Sequence, residues 1–443
     1  MASRGVVPIQ PGCGGSELAA YQLACYFARR GNQVTLVADG GPADGAKQTN
    51  LEFVPIDSRL QRLIARLPSG FFTWMLQHLI GNITAAFQAI RLVRDREFDV
   101  IHAHGNLAAI LLSLGSRLPL IYTEQDAPPW QCRYRRWWER LIRTAIYRAL
   151  NVTAFRRADH VVATFEPLRT EIVGRWGVPA AKVSVIPNGA PEEFSRPPSA
   201  DGSAPGADPG PFEHYCLFVG RLTDRKAPDF VVRALVEAKD VFCVFAGDGP
   251  LRRHVERLAE DLGVAERTAF LGNVDPSRLG PLYARADLLI LPSVSEASPL
   301  VVTEAMACGT PVLATRIAGI PSLVEDWETG FLVHPDNIGE LAVALRFLMR
   351  DGQLRKRMSE NARARAAERF LWSGLGLQYE TIYASFNGHA PVAAERKEAS
   401  EPEPGRLLPE LGFEGSAAQD GVLEGTVLDN VVLEEAVPEE SRA

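Results

Sequence analysis

Short apolar runs alternate with amphipathic stretches along this chain, and the alternation happens twice. In the first set, QVTLVAD (33–39), FDVIHAH (98–104), LPLIYTE (118–124), DHVVATF (159–165) and KVSVIPN (182–188) read as buried parallel strands, with helical patterns between most of them. The second set is YCLFVG (215–220), VFCVFAG (241–247), TAFLG (268–272), DLLILPS (287–293) and PVLAT (311–315). Between the sets, RPPSADGSAPGADPGPFE (196–213) holds five prolines and three glycines without apolar periodicity, the composition of a tether. Two consecutive α/β sets predict two doubly wound, Rossmann-like domains facing each other across a cleft, with ligands at the carboxyl ends of the strands. The expected division is a first, acceptor-side domain over 1–195, the linker, a second domain over 214–370, a helix over 371–388 able to cross back to the first domain, and an acidic tail over 389–443.

Charge is unevenly spread. The net charge is −7, but residues 389–443 hold thirteen Asp or Glu against four Lys or Arg, a local −9. About +2 is left for the folded part, so no nucleic-acid partner is expected. The tail is also rich in Pro and Gly and reads as disordered, its one apolar cluster being VLEGTVLDNVVLEE (422–435). Six cysteines lie scattered without a C-x-x-C pair, which argues against disulfides and thiolate metal sites and for a reducing compartment. The opening MASRGVVPIQPG has no long apolar region like that of a signal peptide, and Gly115, Arg117 and Pro119 interrupt the best span candidate. A cytoplasmic protein follows, with room for contact at the inner face of the cell membrane.

Four motifs fall at strand ends. GCGGSELAAYQLACYFARRG (12–31) opens a helix with a glycine loop, and the amides of Gly14 and Gly15 can approach a phosphate. Read as a dinucleotide fingerprint with Asp39 as the ribose acid, it fails at Glu17, where the third glycine should stand. In FVGRLTDRKAPDFVVRAL (218–235) a strand ends at Gly220, and Arg221 and Lys226 follow. Two cations there can neutralise a diphosphate; they can also be ordinary surface charges. FAGDGPL (245–251) and LGNV (271–274) are tight glycine turns, either plain connections or backbone offered to a planar base. Last comes EASPLVVTE (296–304), two glutamates eight positions apart around a helix opening at Pro299. Carboxylates accept hydrogen bonds from hydroxyls without needing a metal, and a helix N-terminus attracts anions.

R-x4-K after the first strand of the second domain, then G-D-G-P, then E-x7-E with EAMACGTPV, resembles the retaining nucleotide-sugar glycosyltransferases of family 4, which have the GT-B fold. The resemblance runs over roughly 12–385 and is densest over 218–335. It implies that Arg221 and Lys226 hold the donor diphosphate and that Glu304 binds the ribose hydroxyls. It also implies that Glu296, helped by Ala297, Ser298, Pro299 and Leu300, meets the transferred sugar. The base is expected near Gly272, Asn273 and Val274. From the first domain, Gly14 and Gly15 match the phosphate-side glycines, His104 the histidine beside the reacting sugar, and Asn188 the residue at the domain crossing. The expected activity is that of a retaining hexosyltransferase using a nucleotide-sugar such as a UDP-sugar. No metal cofactor is expected, since no two aspartates stand at i, i+2. The acceptor stays open between a lipid-linked molecule and a saccharide. Glu296, Glu304, Arg221 and Lys226 are expected to face one cavity.

Some features depart from the family pattern. Pro8 interrupts Val6, Val7 and Ile9 where a central first strand belongs, which suggests a start upstream of Met1. Gln125 stands where many relatives carry histidine, and Ala297 replaces a frequent glycine. These departures sustain an alternative, a catalytically inactive GT-B binding or scaffold protein. Finally, RYRRWWERLIRTAIYR (133–148) carries six arginines and two tryptophans. It reads either as a domain-packing helix or as one that touches an anionic membrane.

Overall fold

The computed structural model describes residues 15–38, 49–56, 71–132, 137–196 and 212–386. Gly14, Asp39, the Val6–Ile9 stretch, the arginines at 133, 135 and 136, most of the linker and the acidic tail lie outside the described residues.

The first lobe runs α1 (Gly15–Arg29), β1 (Val34–Ala38), β2 (Leu51–Pro55), α2 (Phe71–Asp95), β3 (Ile101–Ala103), α3 (Asn106–Gly115), β4 (Leu120–Glu124), α4 (Trp137–Arg157), β5 (His160–Ala163), α5 (Glu166–Gly174) and β6 (Val183–Val185). Strands β3, β4, β5 and β6 pair in that order, all parallel, and β1 pairs with β2, also parallel. Every residue of β3 and β4 is buried, as expected of a parallel sheet covered on both faces.

The second lobe runs β7 (Cys216–Val219), α6 (Pro228–Glu237), β8 (Cys243–Ala246), α7 (Arg252–Asp261), β9 (Thr268–Gly272), α8 (Leu279–Arg285), β10 (Leu288–Leu291), α9 (Leu300–Cys308), β11 (Val312–Thr315), α10 (Ile320–Leu323), β12 (Gly330–Val333), α11 (Ile338–Arg350) and α12 (Gly352–Arg369). Its six strands are ordered β12-β11-β10-β7-β8-β9, all parallel. Side-chain alternation divides the core between the two faces. Leu217, Val219, Val244, Leu289 and Val312 pack on one, and Cys216, Phe218, Cys243, Ile290 and Leu313 on the other. Strand order reverses between β7 and β10, and such a reversal opens a crevice beyond the carboxyl ends of those two strands. The R-x4-K segment leaves β7 there, and EASPLVVTE leaves β10.

The last helix, α13 (Trp372–Ala384), belongs physically to the first lobe. Its Glu380 accepts from the Tyr26 hydroxyl at 3.1 Å and pairs with Arg30 at 2.7 Å, and Trp372 Nε1 donates to Gln22 at 2.9 Å. Tyr383 stacks on Phe27 with centroids 4.7 Å apart. Where the chain returns, Ala190 N–H donates to the Phe370 carbonyl at 2.7 Å and Trp372 N–H to the Ala190 carbonyl at 3.2 Å. No helix among the described residues is long and apolar enough to cross a membrane.

Candidate active site

Glycine shapes the crevice first. Gly220, at the end of β7, has φ +144, a conformation that favours glycine, whereas a Cβ there would make only ordinary contact with Lys226 Cε at 3.6 Å. Gly247, after β8, has φ +151, and a Cβ there would meet the Gly220 carbonyl oxygen at 2.0 Å. Only glycine lets these two turns pass so closely. Ala227, next to Lys226, takes φ +45 as the N-cap of α6, a left-handed conformation that alanine adopts at a cost.

The loop after β10 is strapped to this turn by three contacts. Val294 N–H donates to the Arg225 carbonyl at 2.9 Å, Arg225 Nη2 donates to the Ser295 carbonyl at 3.4 Å, and Lys226 Nζ pairs with Glu296 Oε1 at 2.5 Å. Glu296 is buried and Lys226 half-buried, so solvent screens the pair little. Arg221 is exposed and makes no ion pair among the described residues. Helix α9 begins at Leu300 rather than at Pro299, because Pro299 has an extended ψ of 119 and serves as N-cap without a side-chain bond. Val302 N–H donates to the Pro299 carbonyl at 3.1 Å; the amides of Leu300 and Val301 come too early in α9 for an intrahelical acceptor, and the positive end of the helix dipole faces the loop.

The same loop reaches into the first lobe. Ala297 is buried in the cluster that holds Ala127, Cys132 and Phe165, and Ser295 Oγ donates to Cys132 Sγ at 3.0 Å. Asn188 N–H donates to Ser298 Oγ at 2.9 Å, and Asn188 Nδ2 donates to the Ser298 carbonyl at 2.8 Å and to Gln125 Oε1 at 2.9 Å. Gln125 Nε2 in turn lies 3.4 Å from His104 Nδ1. His104, Gln125 and Asn188 follow the carboxyl ends of β3, β4 and β6, so one edge of one sheet delivers all three.

Buried polar groups back this edge. Glu124 accepts from the Tyr122 hydroxyl and from Asp126 N–H, each at 2.8 Å, and from Asn151. The His102 ring stacks on His104 with centroids 4.3 Å apart; its Nδ1 is 2.6 Å from the Tyr383 hydroxyl and its Nε2 2.7 Å from Thr123 Oγ1. Burial drives His102 well below the ordinary histidine pKa, so it is neutral.

Glu304 stands apart. It accepts from the Tyr283 hydroxyl at 3.0 Å and lines a cavity of about 580 Å³. The opposite wall is α1, through Gln22, Cys25 and Arg29, together with Glu193 from the crossing segment. Burial pushes the Glu304 carboxyl up to about 7; the Tyr283 hydrogen bond opposes this shift and the Glu193 charge adds to it. Arg221, Lys226 and Glu296 are not among the residues that line this cavity. An eight-residue spacing that begins in a loop leaves the relative direction of the two carboxylates undetermined. Near the expected base region, Gly272 has φ +68, Asn273 is exposed and Val274 packs against the core.

Sequence reasoning treated Gln125 as a loss; the structure makes it the bridge between His104 and Asn188. It also overlooked Arg225 and Tyr283, which nothing in their local sequence singles out. Among the described residues, no group of three or more His, Cys, Asp or Glu could hold a metal ion.

Two facing parallel α/β lobes, with a cation-bearing turn and a glutamate loop at the switch point of the second, define the GT-B class of glycosyltransferases. Residues 13–194 match Glycosyltransferase Family 4, and residues 211–365 match the glycosyl transferases group 1 family. A D-inositol 3-phosphate glycosyltransferase from Nocardia farcinica is 32% identical over 379 residues, which are 80% of this chain and 77% of that protein. A second such enzyme, from Catenulispora acidiphila, is 32% identical over 51% of this chain and 56% of its own length. Among solved structures, sucrose-phosphate synthase from Thermosynechococcus elongatus superposes with a TM-score of 0.70 at 23% identity, over 87% of this chain and 98% of that one. The Anabaena protein HepE in complex with UDP-glucose gives 0.63 at 23% identity, over 85% and 97%. The chain belongs to this glycosyltransferase family.

Proposed function

We propose that the protein moves a hexose from a nucleoside diphosphate to an acceptor hydroxyl with retention of anomeric configuration and without a metal cofactor. The observation that carries this reading is the Lys226–Glu296 pair at the β7/β10 switch point, its glutamate buried, with the exposed Arg221 on the same segment as Lys226. Breaking the sugar–diphosphate bond builds negative charge on the leaving oxygen. Lys226, Arg221 and the first-turn amides of α9 supply positive potential where that charge grows, stabilising the transition state more than the ground state. Glu296, already held by Lys226, accepts from hydroxyls of the sugar. In the same-face displacement proposed here, the acceptor oxygen bonds to the anomeric carbon as the diphosphate leaves, and the acceptor proton passes to the departing phosphate oxygen. Glu304 takes the ribose hydroxyls. The HepE complexes favour a UDP-sugar donor, and the named activity of the Nocardia relative makes D-inositol 3-phosphate the first acceptor to test.

We also propose that the first lobe meets an anionic membrane from the cytoplasmic side. Helices α2 and α3 pack together, as do α3 and α4, and among the described residues these three helices expose Leu79, Phe87, Leu114, Trp137 and Leu141 as well as Arg140 and Arg148. Apolar side chains bordered by arginines suit a headgroup layer.

UDP-, GDP- and ADP-sugars screened by thermal shift and then by donor hydrolysis and transfer test the activity. Specific binding with turnover is expected; binding without turnover for any donor and acceptor identifies a scaffold instead. Co-sedimentation with phosphatidylglycerol vesicles at low salt, lost in Trp137→Glu/Leu141→Glu, is expected for the membrane face. Equal sedimentation of both proteins removes that proposal.

A further inference from the structure

We infer that Gln125 is a positioning residue that holds His104 as a neutral imidazole with its proton on Nε2, and that this tautomer is dictated from the other lobe. The polarity of the chain of contacts permits one assignment. The Ser298 carbonyl can only accept, so the group 2.8 Å from it on Asn188 is the NH2. The same NH2 has a second hydrogen, which points to Gln125 at 2.9 Å, so the Gln125 atom there is its carbonyl oxygen. A flipped Gln125 would set two NH2 groups against each other. The Gln125 NH2 therefore faces His104 Nδ1 at 3.4 Å, and Nδ1 must offer a lone pair. One backbone carbonyl in the second lobe thus sets, through two amides, which ring nitrogen of a first-lobe histidine carries hydrogen.

The surroundings of His104 are consistent with this. His102, stacked on it, is held neutral between Tyr383 and Thr123 and places no second cation there. Glu124, one residue before Gln125, is already engaged by Tyr122, Asp126 and Asn151, and Glu296 by Lys226. Under the proposed function, on which only the activity arm below rests, His104 meets the donor sugar as a hydrogen-bond donor and not as a base. The role follows from Gln125, the residue that had looked like a defect.

The test uses the full chain labelled with 15N-histidine, without donor. Long-range 1H–15N spectra near pH 7.5 read each ring, and His104→Phe identifies the His104 signals among the eight histidines. A protonated Nε2 with an unprotonated Nδ1 is expected. Gln125→Glu keeps the acceptor for Asn188 but turns the donor at Nδ1 into an acceptor, so Nδ1 should gain a proton. Gln125→Met, with no polar end, should leave a mixture of tautomers. Each variant is expected to lower kcat by on the order of 10-fold while KM changes less. A wild-type ring protonated on Nδ1, or a ring pattern unchanged in Gln125→Glu, overturns the inference. An expected ring pattern in a protein without turnover counts against the enzymatic reading alone.

Discussion

The two sides of the crevice use different chemistry. The second lobe presents charge: a half-buried lysine paired with a buried glutamate, and on the same segment an exposed arginine that makes no ion pair among the described residues. The first lobe presents neutral dipoles, a histidine and two amides joined end to end. In the proposed reaction charge develops on the diphosphate, whereas the sugar and acceptor offer hydroxyls, so each lobe would match the part assigned to it. The lesson is that substitutions on the two sides should fail in different ways.

The largest effect should come from Lys226→Met. Turnover is expected to fall by at least about 100-fold. Glu296, left buried without its cation, should cost about 3 kcal/mol in urea unfolding. Adding Glu296→Gln should restore the stability without restoring turnover; recovery of both would erase the contrast between the lobes. Arg221→Ala should lose turnover by about 100-fold as well, yet stay within about 0.5 kcal/mol of the parent because its side chain is exposed. Unchanged kinetics there would leave the charge on Lys226 alone.

On the neutral side, Asn188→Ala strands the Ser298 carbonyl and the Gln125 oxygen. It should cost about 2 kcal/mol and reduce kcat/KM by on the order of 10-fold. The smallest change is expected from Glu304→Gln, about fivefold in nucleotide affinity, the worth of one hydrogen bond. This variant also carries a pH signature. The folded carboxyl titrates near 7, above its ordinary value of 4.5. Its protonated form is thus favoured by folding, and the resulting stability is present below the ordinary value and lost as pH rises through about 7. Thermal melts from pH 4.5 to 8 should show that decline in the parent and a shallower one in Glu304→Gln. Parallel curves would place the ionisation elsewhere.

Much of the fold was legible because buried parallel strands are nearly continuous apolar runs, as in FDVIHAH and DLLILPS. The charged half of the site was legible because its members lie on two short segments whose spacing survives in one dimension. In the neutral half, His104 and Asn188 were reached through the family resemblance alone, and their link through Gln125 was not legible. Gln125 and Asn188 lie 63 positions apart and meet only through strand order, which no local pattern encodes. For Glu304 the spacing from Glu296 is visible in one dimension, whereas its hydrogen-bond partner Tyr283, on α8, is not.

The Ala190–Leu371 bridge has a mechanical consequence. The chain passes between the lobes twice, and the two passages are laced side by side, like a door hung on two pins in line. Any parting of the lobes would have to bend both passages together and would have to break the Asn188–Ser298 hydrogen bonds.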